Sequence, residues 1–236
     1  MNKVIDEIGN APLISVIVPV YNEEMAIGEV LKKLTLLQKE MSLEIVAVDD
    51  GSIDKTIDII KTFPSVTIIC HPKNMGKGKA IATGLSKSRG QIVVIQDADG
   101  EYAPEEIPKI VFPIVEKQAD IVFGSRFMAH AHNYGMSVSH KIGNLILSLT
   151  ARLLYNAKVT DVMTGHKAFC REAIESIGLS ANGFEIEVEM TRKLLKKKWR
   201  LREIPISYIR RQHGEAKITA RDGFICLAKL FFGKFR

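Results

Sequence analysis

Carboxylates gather in three short segments of this 236-residue chain. In Gln96-Asp97-Ala98-Asp99-Gly100-Glu101, acidic side chains stand at i, i+2 and i+4 of a tight turn. Hard oxygen donors in that pattern suit Mg2+ or Mn2+. A cation held there would bridge the two phosphates of a nucleotide diphosphate. An isolated Asp-x-Asp also arises by chance, its aspartates making Asx-turns. The pattern gains weight because it follows a run of four apolar residues. Asp49 and Asp50 head a second group with Gly51, Ser52 and Asp54. That group fits a loop that hydrogen-bonds a base or ribose, although Asp54 fits equally as a helix N-cap. Glu23 and Glu24 form the third group, after Tyr21 and Asn22. Asn74–Ala80 is Gly-rich and basic. It is not a Walker A loop, since no Gly-Lys is followed by Ser or Thr. Its main chain and Lys77 still suit a pyrophosphate.

Alternating strands and helices are expected to position these groups. Short β-rich runs at Ile14–Val18, Glu44–Val48, Val66–Cys70, Gln91–Gln96, Asp120–Phe123 and Leu201–Tyr208 read as strands. Ile27, Val30, Leu31, Leu34 and Leu37 recur at helical spacing within Glu24–Lys39. Thr56–Thr62, Lys79–Arg89, Pro104–Gln118, Ser139–Tyr155 and Glu185–Lys198 also read as helices. Repeated β-α units give an α/β fold with a mostly parallel sheet covered on both faces. In such sheets ligands bind beyond the carboxyl ends of the strands. Two of the acidic groups directly follow strands and Glu23 and Glu24 follow the first across Tyr21-Asn22, so all three face one rim.

Composition narrows the class. Hydrophobic residues make up 46% and charged residues 25%, which leaves ample material for a packed core. Cys70, Cys170 and Cys226 are far apart without a CxxC pair, so they read as reduced core residues of a cytoplasmic protein. No run approaches the ~20 apolar residues of a spanning helix. Residues 189–236 carry 14 basic and 4 acidic side chains, which suggests an anionic partner. No basic platform with interleaved aromatics is present, so nucleic acid is not expected. Phe224–Phe232 with Lys229, Lys234 and Arg236 reads as an interfacial amphipathic helix. The expected location is therefore the cytoplasmic face of a membrane, without a span. Packing of this helix on the domain, or on a second copy in a homo-oligomer, is the alternative.

Four motifs in order resemble glycosyltransferase family 2: Val16–Glu24, Asp49–Asp54, Asn74–Ala80 and Asp97–Asp99. Gly124–Phe127, Asp161–Lys167, Glu203–Ile206 and Arg211–Lys217 are similar to the dolichyl-phosphate mannose synthase branch. The resemblance implies a single GT-A (Rossmann-like) domain over 1–236. Residues of about 13–127 would form the nucleotide-sugar and metal half, and about 128–236 the acceptor half. It implies a metal-dependent, inverting transfer of a hexose from GDP-mannose or a UDP-sugar to a polyprenyl phosphate. Pro19, Tyr21, Glu23, Asp50, Lys77, Asp97 and Ala98 would contact the donor. Asp97, Asp99 and Glu101 would hold Mg2+ or Mn2+. Arg126, Lys141, His166 and Lys167 would meet the acceptor. Asp99, Arg126, Arg211 and Lys217 would carry catalysis, the last two from a loop closing over the phosphates.

Three positions depart from the branch pattern. Glu101 stands where Gln is common, Ala216 where Ser is usual, and His166-Lys167 where the branch has Phe-Arg. An alternative acceptor is a sugar hydroxyl, which needs a general base. Asp161, Glu187 and Glu189 are the candidates for that base. A sugar-nucleotide pyrophosphorylase would need a Gly-rich basic loop after the first strand, where this chain has Pro19–Glu24.

Overall fold

The computed structural model describes residues 12–128, 133–211 and 217–233. Gly214, Glu215 and Ala216 of the last motif, and the terminal Lys234 and Arg236, lie outside the described residues. The strands are β1 (Ile14–Val20), β2 (Leu43–Asp49), β3 (Val66–Cys70), β4 (Ile92–Ile95), β5 (Ile121–Ser125), β6 (Asn133–Tyr134), β7 (Lys167–Cys170), β8 (Leu201–Pro205) and β9 (Tyr208–Ile209). The helices are α1 (Ile27–Leu37), α2 (Thr56–Lys61), α3 (Lys77–Lys87), α4 (Ile107–Val115), α5 (Val138–Tyr155), α6 (Arg171–Ser176), α7 (Ile186–Lys196) and α8 (Ala220–Phe232). Seven strands form one sheet in the order β3-β2-β1-β4-β7-β5-β8, and β6 pairs with β9 apart from it.

The sheet is parallel except for β7, which runs antiparallel to both β4 and β5. Strand β7 was not legible in the sequence. It is four residues long and carries a lysine, so it lacks the apolar run that marks the parallel strands. Its direction has a consequence for the rim. Lys167 pairs with Ile95 and with Phe123, so β7 begins where β4 and β5 end. The segment leading into it, Asp161–His166, is thereby brought to the carboxyl edge of the sheet.

Side chains on the two faces of β1 divide the core. Val16 and Val18 pack with Leu31 and Leu34 of α1 and with Val111 of α4. Ile17 packs on the other face with Ile81 of α3, Phe169 of β7 and Met190 of α7. The buried residues of α1 are Ile27, Val30, Leu31, Leu34 and Leu37, the five that the periodicity picks out. The helix starts three residues later than expected. The N–H groups of Glu23 and Glu24 are drawn sideways to Thr56 Oγ1 and Asp54 Oδ2, at 2.8 and 3.2 Å. Likewise α4 stops at Val115, because Gln118 and Ala119 both fold their N–H groups back to Pro113 O.

Leu31 is fully buried on α1, away from the acidic rim. Leu31→Ala is expected to cost about 2–5 kcal/mol of stability. Denaturant unfolding measures this, and the folded fraction should keep wild-type ligand affinity.

Candidate active site

The strand order reverses between β1 and β4, and α/β sheets bind ligands at such switch points. The chain leaving β1 supplies Tyr21 and Glu23, and the chain leaving β4 supplies Asp97, Ala98 and Asp99. Together they edge a cleft of about 820 Å3. Its lining includes Pro19, Tyr21, Glu23, Asp50, Lys77, Asp97, Ala98, Asp99, Glu101, Arg126, Arg211 and Lys217. The opposite wall is apolar, with Met136, Ile146 and Leu147 facing Phe224 and Leu227.

Cations meet most of the cleft's acidic groups. Lys77 Nζ lies 2.7 Å from Asp97 Oδ1 and 2.9 Å from Glu187 Oε1. Behind it, Lys167 donates to Glu187 Oε2 and to the carbonyls of Val162 and Thr164. Burial opposes the Lys77 charge, but Asp97 and Glu187 outweigh it and raise its pKa above the ordinary lysine value. Arg211 spans Asp99 at 2.7 Å and Glu23 at 3.3 Å. Lys217 Nζ sits 2.5 Å from Glu23 and also meets the carbonyls of Tyr21 and Asn22. Glu101 accepts from Tyr208 Oη at 3.0 Å and from the Arg211 main chain at 3.3 Å. Burial and the neighbouring Asp99 charge still push the Glu101 carboxyl upward.

Arg126 is fixed on every side. Its Nε and one Nη donate to Asp161 at 2.7 and 2.8 Å, and its own N–H adds a third bond at 3.0 Å. The rings of Tyr102 and Tyr208 lie 5.7 and 5.5 Å from the guanidinium carbon. Asp161 is itself fully buried, so Arg126 is an oriented cation at the cleft wall.

The profile of glycosyl transferase family 2 matches residues 15–178. The chain belongs to that family. It is 34% identical to UDP-N-acetylglucosamine–dolichyl-phosphate N-acetylglucosaminyltransferase of Methanococcus voltae, over 88% of this chain and 90% of the relative. It is 30% identical to undecaprenyl-phosphate mannosyltransferase of Micrococcus luteus, over 86% of each. Among solved structures, glucosyl-3-phosphoglycerate synthase of Mycobacterium tuberculosis with Mn2+ and UDP-glucose superposes with a TM-score of 0.78 at 19% identity. That match covers 99% of this chain and 82% of the other, and establishes the GT-A architecture.

Within this glycosyltransferase, three expected acceptor contacts stand elsewhere. His166 and Lys167 are fully buried beneath the cleft rather than on its surface. Among the described residues neither ring nitrogen of His166 has a hydrogen-bond partner, and burial pushes its pKa down to about 3. Lys167 meets the cleft lining through its ion pair with Glu187. The cause is β7, whose antiparallel course turns this segment under the rim. Lys141 is exposed on α5 and is not part of the cleft lining. The main-chain donors expected at the start of α3 are partly spent. Gly78 and Lys79 give their N–H groups to Asn182 O, at 2.6 and 3.2 Å. A Cβ on Gly78 would lie 2.2 Å from Ala181 O, so this glycine serves the approach of that loop.

The acidic set fits a cation held jointly with phosphates. Among the described residues, no three acidic, His or Cys side chains converge as a ready cage. Mg2+ is usually held by one or two carboxylates plus substrate phosphates. Asp97 and Asp99 would meet that requirement once ligand phosphates take their place as partners of Lys77 and Arg211, and Glu101 stays bonded to Tyr208 and the Arg211 main chain. Glu189 lies outside the lining. Burial would raise its carboxyl, but Lys193, Ser180 and Ala181 hold it down to about 2.

A Cβ on Gly165 would come 1.9 Å from Asp97 Oδ2, so only glycine leaves that carboxylate where it is. Gly165→Ala is expected to shift Asp97 and weaken Mn2+ binding in the presence of a nucleoside diphosphate by at least tenfold. A displacement near 1 Å is also expected to slow turnover by about 100-fold. Calorimetry and initial rates check the two effects separately.

Proposed function

We propose that this family 2 glycosyltransferase moves a hexose from a nucleotide sugar to a polyprenyl phosphate, with inversion at C1. The observation that carries the reading concerns the three carboxylates proposed as a general base. A sugar hydroxyl must lose its proton during attack, whereas a phosphate oxygen is already anionic at neutral pH. None of the three carboxylates weighed as a base is free for that task. Asp161 is held bidentately by Arg126, Glu187 lies between Lys77 and Lys167, and Glu189 is outside the cleft. Two relatives that align over most of their length are named for polyprenyl-phosphate acceptors. The M. tuberculosis enzyme, by name a synthase of glucosyl-3-phosphoglycerate, is similar in fold alone.

In this reading the nucleoside lies against Asp50 and the diphosphate against Asp97, Asp99 and Lys77. Mg2+ or Mn2+ on Asp97 and Asp99 would screen the charge of the departing diphosphate. Arg211 and Lys217 are close enough to exchange their carboxylates for phosphate oxygens. Arg126 presents a fixed positive charge to the acceptor phosphate, which attacks C1 as the bond to the diphosphate oxygen breaks. Alignment and fixed charge then carry the rate enhancement.

The apolar wall suits a lipid acceptor. Val138, Ile142, Leu145, Leu149 and Leu153 stand exposed along α5, and Phe224, Phe231 and Phe232 along α8. Cys226 and Leu230 on the other side of α8 are fully buried, so this helix both packs on the protein and exposes aromatics. Among the described residues, no helix is long and apolar enough to cross a membrane. The proposal is therefore contact with a membrane surface through the outer faces of α5 and α8.

Two experiments test the reading. Incubation with UDP- and GDP-sugars, Mn2+ and a polyprenyl phosphate should release nucleoside diphosphate and yield a lipid-linked sugar. Asp99→Asn should lower that rate by at least 100-fold with the fold intact, in line with the loss of one fixed electrostatic group. Transfer to a soluble sugar in place of the lipid would defeat the acceptor assignment. In vesicle co-sedimentation, Phe231→Glu combined with Leu149→Glu should abolish binding to anionic vesicles at low salt. Recovery of the unmodified protein in the supernatant would defeat the membrane assignment.

A further inference from the structure

His71 belongs to none of the sequence motifs, yet its ring contacts Asp50 directly. Its Nδ1 lies 2.6 Å from Asp50 Oδ1, and its Nε2 lies 2.9 Å from Thr83 Oγ1. Its main-chain N–H donates to Asp49 O at 2.8 Å, so the ring is fixed at the end of β3. Asp50 receives two further bonds. Met75 N donates to Oδ1 at 2.9 Å and Gly76 N to Oδ2 at 2.7 Å. A carboxylate offers roughly four acceptor directions, two on each oxygen. Oδ1 is filled by His71 and Met75, and Oδ2 retains one direction. Asp50 is nearly buried but lines the cleft, which leaves at most that one direction to a bound base.

We infer that His71 is a positioning residue that makes Asp50 a single-acceptor site, and so selects a donor built on uracil or thymine over one built on guanine. The inference rests on the nucleotide-sugar reading given above. Uracil and thymine present one imide N–H between two carbonyls. Guanine presents N1–H and the exocyclic amine side by side, a pair that needs both oxygens of a carboxylate. With Oδ1 filled, one guanine donor enters a buried site unmatched, which costs affinity.

Calorimetry with UDP, dTDP and GDP, each with Mg2+, tests this on the full chain. The diphosphate and metal are common to the three, so differences report the base. The wild type should bind UDP and dTDP on the order of tenfold more tightly than GDP. His71→Phe should bring the UDP-to-GDP ratio close to one. His71→Asn, whose amide stands near the position of Nδ1, should keep the ratio. His71→Gln, whose amide reaches toward Thr83 instead, should lose it. This Asn and Gln pair decides the matter if the Phe variant fails to fold. A wild type that favours GDP, or a ratio equal in the Asn and Gln variants, overturns the inference. So does a variant that weakens all three ligands alike, because a purely structural role has that signature. If no nucleoside diphosphate binds the wild type at all, the reading of the site itself falls, which is a distinguishable result.

Discussion

Negative charge concentrated at one rim must be matched before the protein can fold around it, and the cleft is arranged around that requirement. Lys167, Glu187, Lys77 and Asp97 form a line of alternating sign running from the core to the surface. Removing one member of such a buried pair typically costs about 3–5 kcal/mol, because the other charge is left without a partner. The line is therefore expected to behave as a unit. It also fixes what Asp97 can do, since one oxygen faces an ammonium and the other abuts Gly165. On the far side, Arg211 matches Asp99 and Glu23 at comparable burial, and Lys217 joins Glu23 from a more exposed position. Lys217 is about a third exposed, so its partner can be exchanged at lower cost. The rim is thus buried for most of its length, with Lys217 as its more exchangeable cation.

The line from Lys167 to Asp97 depends on β7. A parallel strand in its place would begin at the opposite edge of the sheet, and Thr164, Gly165 and Lys167 could not reach Asp97 and Glu187. Running antiparallel, β7 delivers the segment 161–167 to the carboxyl ends of β4 and β5 in one step. Asp161 is placed by the same turn, and from there it orients Arg126. Glu203 of β8 supports this segment from below, accepting the N–H groups of Thr160 and Asp161 at 2.8 and 3.0 Å. One short strand therefore connects Asp97 to Arg126 across the cleft.

Much of the N-terminal half was legible because its signals are local. The five buried residues of α1 follow from spacing alone, and the acidic groups follow from their place after apolar runs. The C-terminal half depends on contacts between distant segments. Nothing in His166-Lys167 distinguishes a buried pair from a surface one, because the burial comes from β7 closing between β4 and β5. The partnership of Arg126 with Asp161 spans 35 residues, and that of Glu187 with Lys77 spans more than one hundred. His71 was passed over for the same reason. Its role arises where β3 ends beside Asp50, and its flanking residues, Cys70 and Pro72, carry no chemical signal.

The two ends of the cleft differ in kind, and the difference bears on how a lipid-linked phosphate would be used. At the donor end, charged groups are paired and held by the sheet. At the other end, the lining passes to Ile146, Leu147, Phe224 and Leu227, and a second groove between α5 and α8 shares Phe224 and Leu227 with it. An apolar chain lying there would exclude water from the wall beside Arg126. Electrostatic interactions strengthen as the local dielectric falls, so the same guanidinium would hold a phosphate more firmly in the filled cleft than in the open one. Binding of the apolar part would in this way add to the orientation of the reacting part, without a contact at the reacting atoms. Truncated acceptors should then lose turnover as well as affinity, since energy from the remote chain is used to order the phosphate.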